Sequence, residues 1–201
     1  MSMTLRAGLL IVFASVCAQA QTRTLGLYLG PARGLDTQSQ LIMQEELRRL
    51  LEPAGIEIVW KDSVGRKSGQ DFELIAVSSF EGSCSLEGLP QSPASASLAD
   101  TSISDGHVLP FFRVDCTRLI QMFGRRINSS ILGRALARVM AHEIYHIVAR
   151  TPEHQETGVA KAIFSTQDLT EAEFGFDAWS ILLMRPSPVA GVADASGASG
   201  R

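Results

Sequence analysis

No run of about 18 or more apolar residues occurs in the 201-residue sequence, so no internal membrane span is expected. Seventeen glycines and eight prolines are too few for a fibrous or collagen-like chain. Basic residues do not outnumber acidic ones: 18 Lys and Arg face 21 Asp and Glu, a net charge of −3. That balance excludes a protein whose main task is holding nucleic acid, because phosphate binding needs clustered basic charge. Internal repeats are absent. Cysteine is scarce, at three. What is present is ordinary globular material, 45% apolar and 19% charged, in a length that suits one domain.

Met1–Ala20 (MSMTLRAGLLIVFASVCAQA) reads as a signal peptide. Arg6 supplies its positive start, Ala7–Val16 its apolar stretch, and Ala18-Gln19-Ala20 a small-x-small cleavage site. Cleavage after Ala20 places Gln21 at the new N-terminus and the chain in a secreted or periplasmic setting. It removes one Arg and no acid, taking the net charge from −3 to −4. A lipid anchor on Cys17 is disfavoured by the bulky Val16 before it, so no stable membrane anchor is expected. Cys84 and Cys116 remain, and two cysteines in an exported chain are a candidate disulfide. The alternative is two separate buried thiols. A bridge would contribute about 3–4 kcal/mol on the loop-entropy account.

The next hundred residues alternate strand and helix. Thr24–Gly30, Ile56–Lys61 and Phe72–Phe80 alternate or run apolar in the manner of strands. Asp36 or Thr37 caps a helix to about Leu51, with Met43, Leu47, Leu50 and Leu51 as its stripe. Ser83–Ala96 reads as a loop, and Ala99–Ile103 with Val108–Val114 as two strands around Ser104-Asp105-Gly106. From Thr117 the pattern turns helical. A short segment runs to Phe123, then Ser129 or Ser130 caps a long helix, Ile131–Ala149, that Thr151-Pro152 ends. A last helix is expected from Thr170 to Met184, opened by a capping box of Thr170 and Glu173. Arg125-Arg126, Arg134 and Arg138 form a small basic strip, read as a solvated helix face. Asn128 fits a glycosylation sequon and is read as helix capping. Arg185–Arg201 reads as a disordered tail, so the expected domain is residues 21–184.

Three of the four histidines lie in residues 142–154, HEIYHIVARTPEH. His142 and His146 are four apart on the expected helix, one turn above the other, so both imidazoles can reach one metal ion. At this composition, two His and one Glu at that spacing occur by chance about 0.005 times, which argues for function. Glu143, beside the first His, has the place of the base that takes a proton from metal-activated water. Imidazole ligands suit Zn²⁺, and a catalytic zinc takes three protein ligands and keeps one position open. His154 is the preferred third ligand. Glu173 is the rival, and Asp177 or Glu153 is a candidate partner orienting a ligand His. Tyr145 is read as packing rather than as an oxyanion donor, and His107 as a surface turn residue.

His142-Glu143-Ile144-Tyr145-His146 resembles the H-E-x-x-H motif of zincin metallopeptidases, and the following His resembles the metzincin branch. Departures are visible. His154 comes eight residues after His146, two later than in the metzincin pattern. Ala149 stands where that pattern has its Gly, and no Met follows before the last helix. Glu173 with Asp177 looks like the E-x-x-x-D of the gluzincin branch. The resemblance implies an α+β, zincin-like domain: a small twisted mixed sheet with a backing helix, the active-site helix, and a C-terminal helix. It implies a secreted zinc metalloendopeptidase, a hydrolase acting on protein or peptide, with Glu143 as general base and His142, His146 and His154 as ligands. The alternative reading is an exported, non-catalytic zinc-binding or interaction module that retains this helix.

Overall fold

A computed structural model describes residues 22–62, 71–87 and 97–186. The expected signal peptide, the Ser83–Ala96 loop from residue 88 onward and nearly all of the expected tail lie outside the described residues. The described residues are α+β, with five strands and four α-helices among them. Strands β1 (Arg23–Leu29), β2 (Ile56–Asp62), β3 (Leu74–Glu81), β4 (Ala99–Ser104) and β5 (His107–Asp115) form one mixed sheet in the order β2-β1-β3-β5-β4. The first four in that order are parallel, and β4 runs antiparallel to β5 at the edge. Asp105 and Gly106 both take positive φ, 50° and 77°, which is what a two-residue hairpin turn between β4 and β5 requires.

Helix α1 (Thr37–Leu51) starts where Asp36 accepts the Ser39 N–H at 2.9 Å, and its expected stripe is buried. Helix α2 is Cys116–Phe123 and α3 is Ser129–Ala149. Asn128, rather than Ser129 or Ser130, caps α3 by accepting the Ile131 N–H at 3.0 Å. Helices α1 and α3 pack together. A Cβ on Gly133 would stand 2.5 Å from the Ser39 carbonyl oxygen, so only glycine allows that approach. Leu25, Leu27, Ala76, Phe112 and Val114 of the sheet join Leu47, Leu136 and Met140 of the helices in one core. Burying each such side chain stabilises the fold by about 1.5–3 kcal/mol relative to exposure. Cys84 and Cys116 are bonded, with Cα atoms 4.9 Å apart. The bridge ties the end of β3 to the start of α2.

Two expectations are corrected. The last helix, α4, is only Ala178–Met184 and starts at Asp177, which accepts the Ser180 N–H at 2.8 Å. Thr170 caps nothing; its hydroxyl donates to the Thr166 carbonyl at 2.9 Å. Backbone groups that a helix would need are taken by tertiary partners. Arg138 holds the Glu171 carbonyl, Arg49 holds the Phe174 carbonyl, and Val159 N–H donates to Gly175. The basic strip is a solvated face only in part: Arg125 and Arg126 are exposed. Arg138 is fully buried, and Arg134 donates to the Thr170 carbonyl at 2.7 Å. Arg138 bonds Glu46 at 2.9 Å and the Asp168 and Glu171 carbonyls at 2.6 Å, with Phe174 stacked on its guanidinium. A buried charge needs such partners.

Candidate metal centre

Every residue of α3 from Ala135 to His146 is buried, because the helix runs through the core rather than along its surface. His142, Glu143 and His146 are 7%, 4% and 6% exposed. Each imidazole is oriented by a backbone carbonyl. His142 Nδ1 donates to Val159 at 2.8 Å, and His146 Nδ1 donates to Thr151 at 2.7 Å. A carbonyl only accepts, so these protons sit on Nδ1. Burial lowers His142 to about 4 and also lowers His146, so neither ring carries a second proton at neutral pH. Both Nε2 atoms therefore present lone pairs, and they face each other 3.0 Å apart.

Facing lone pairs repel, and a cation between them converts the repulsion into chelation. Two nitrogens bonded to one tetrahedral zinc at ~2.0–2.1 Å lie ~3.3 Å apart, so the pair would have to open only slightly. His154 arrives from the loop after α3. Arg150 ends the helix in the left-handed region (φ 52°, ψ 42°), its N–H still bonded to His146, and the loop then folds back as Gln155 N–H donates to Ala160 at 2.9 Å. The His154 ring stacks on His142 at 5.1 Å and meets His146 edge-on at 4.9 Å. One nitrogen from each ring lies within 4.8 Å of the others. His154 is exposed while the other two are buried.

No protein-family model matches this chain. No curated protein matches it either.

The donor set fits a divalent first-row metal. Three imidazoles suit zinc, copper, iron or nickel. No fourth His, Cys, Asp or Glu among the described residues joins the group, so three side chains could serve as ligands there. Glu173, the rival ligand, lies exposed between Phe174 and the turn before it, and is not in the group. Asp177 caps α4, and His107 opens β5 as an exposed residue. The groups that orient the two buried rings are the Val159 and Thr151 carbonyls rather than Asp177 or Glu153. Sequence reading missed them, since a backbone acceptor has no residue-type signal.

Glu143 faces the sheet edge. Thr101 of β4 donates its hydroxyl to Glu143 Oε2 at 2.6 Å. Burial pushes the Glu143 carboxyl up to about 7, the Thr101 bond pulls it back, and Asp100 adds a smaller push upward. A carboxyl poised there can both take and return a proton near neutrality. Thr101 is a second residue that sequence reading missed; its only hint was its place on a strand. Tyr145 is fully buried, its hydroxyl accepting from Gln155 Nε2 at 3.0 Å and its ring against His146 and Phe176.

Proposed function

We propose that the chain is an exported zinc-dependent metallopeptidase with a divergent, metzincin-like domain. The observation that carries this reading is the pair of buried imidazoles with lone pairs 3.0 Å apart, His154 beside them and a buried carboxyl next along the helix. His142, His146 and His154 would hold the zinc. When bound, zinc acts as a Lewis acid, polarising a carbonyl and making water a nucleophile at neutral pH.

The chain's own residues do the rest. Val159 and Thr151 hold the two buried rings in the tautomer that binds metal. Glu143 accepts the proton from attacking water at a carboxylate oxygen, then delivers it to the leaving amine. Thr101 holds that carboxylate at Oε2 and leaves Oε1 for the water. A polypeptide substrate is favoured because β4, which carries Thr101, is an edge strand of the described sheet. Its unpaired backbone groups can pair with an extended chain running past Glu143. The order of elements supports the zincin-like assignment: a mixed sheet and α1 precede α3, and α4 follows. Export is supported by the Met1–Ala20 pattern and by the Cys84–Cys116 bridge, since disulfides persist in oxidising compartments.

The test is Glu143→Ala against a peptide library, with zinc content measured in parallel. Hydrolysis should vanish while about one zinc per chain is retained. Full activity in this variant would overturn the mechanism.

A further inference from the structure

His154 raises a problem of placement. It is the exposed member of the group, and it comes from a loop rather than from the helix that carries the other two. It also comes two residues later than the pattern this chain resembles. A ligand on a loose loop would lose much of its binding free energy to ordering that loop. Both of its neighbours, however, are tied. Glu153 N–H donates to the Thr151 hydroxyl at 3.1 Å. Gln155 is held at two points: its N–H donates to Ala160 at 2.9 Å, and its side-chain amide donates to the Tyr145 hydroxyl at 3.0 Å.

Tyr145 is the residue that makes this hold stiff. It is fully buried, one residue before His146, with its ring at 5.4 Å from the His146 ring and 6.1 Å from Phe176. Its hydroxyl is therefore a fixed point in the frame of α3. The far side of the loop is anchored to the same frame, because Val159 O accepts from His142 and Val159 N–H donates to Gly175. The Tyr145–Gln155 bond spans from the motif helix to the residue next to the third ligand.

We propose that Tyr145 and Gln155 form a positioning clamp that sets His154 over the His142–His146 pair, so that α3 places all three ligands. This rests on the metal-centre reading above. Tyr145 here is neither a ligand nor an oxyanion donor; it acts through Gln155 on the backbone of His154.

Zinc affinity of the purified chain, measured by chelator competition, gives the test as a double-mutant cycle. Tyr145→Phe removes one hydroxyl and keeps the ring. It should weaken zinc binding about tenfold or more, the usual effect of losing a group that orients a ligand. Gln155→Leu should do the same, and Gln155→Glu, whose carboxylate can accept from the tyrosine hydroxyl, should restore most of the affinity. On a His154→Ala background, Tyr145→Phe should have no further effect, because no third ligand is left to place. With Co²⁺ in place of zinc, the visible spectrum of Tyr145→Phe should move towards that of His154→Ala. Equal weakening in both backgrounds, or none in either, overturns the clamp while leaving the metal centre intact. No zinc bound by the unmodified chain would overturn the metal centre itself, and the clamp with it.

Discussion

Burial shifts Glu143 and His142 in opposite directions in the metal-free protein, and the carboxyl can be altered without touching a ligand. Burial raises Glu143 from 4.5 to about 7 and lowers His142 from 6.5 to about 4. For His142, the unfolded chain binds a proton that the folded chain refuses, so stability is lost as pH falls from 6.5 towards 4. For Glu143, the folded chain keeps a proton that the unfolded chain releases, so stability is gained as pH falls from 7 towards 4.5. Each displacement corresponds to roughly 3 kcal/mol, and both groups are more than nine-tenths shielded from solvent, so little of it is screened. The two contributions nearly cancel across the shared window. Glu143→Gln removes one of them and keeps an oxygen to accept from Thr101. Urea denaturation with a chelator present, at about pH 8, 6 and 4.5, measures the result. The variant should exceed the parent by roughly 3 kcal/mol at the highest pH, and that margin should close as pH falls. A margin that stays constant with pH would refute the buried-carboxyl argument.

Glu46→Leu leaves Arg138 buried with only two carbonyls and an aromatic face, and should cost about 3 kcal/mol or more, read as a loss of roughly 6–12 °C in Tm. The Glu46 carboxyl is held below its ordinary range by Arg49 and Arg138 against the cost of its burial. Its contribution should be complete above the ordinary Glu range and lost as pH falls through the range below it, and Glu46→Gln should lose that acid dependence. Arg150→Gly should raise stability by about 0.5–1 kcal/mol, since glycine accepts φ 52° without the Cβ clash, and thermal unfolding would show it. Cys84→Ser with Cys116→Ser should lower stability by about 3–4 kcal/mol in urea, matching the parent chain under reductant.

Elements with a private periodic signal were legible in the sequence. The strand at Thr24, the stripe of α1 and the long helix through His142 all stand within a residue or two of expectation. The helix expected from Thr170 failed because its capping residues looked right while its backbone was needed elsewhere. Arg138, Arg49 and Val159 take the carbonyls of Glu171, Phe174 and Gly175, and nothing local announces that demand. Arg138 was misread for a related reason: a charged residue on a helix is read as solvated until its partly buried Glu46 partner, 92 positions away, is known. His142, Glu143 and His146 were legible because their spacing is a local property of a helix, and His154 because it follows them closely in sequence. Thr101, Gln155 and the two orienting carbonyls were not, because each acts across a turn or between elements.

The carbonyls of Thr151 and Val159 have one more consequence. They come from the peptide backbone, so substitution at either position leaves the acceptor in place. Apart from His154 and Gln155, side chains along the 151–161 loop can drift widely while the two buried imidazoles stay aimed. Length is another matter. One residue inserted between 151 and 159 would shift one ring's acceptor relative to the other's and carry His154 with it. Outside those two positions, selection on this loop would therefore act on its residue count more than on its letters. Relatives of this chain should be sought by the interval between their counterparts of His146 and His154.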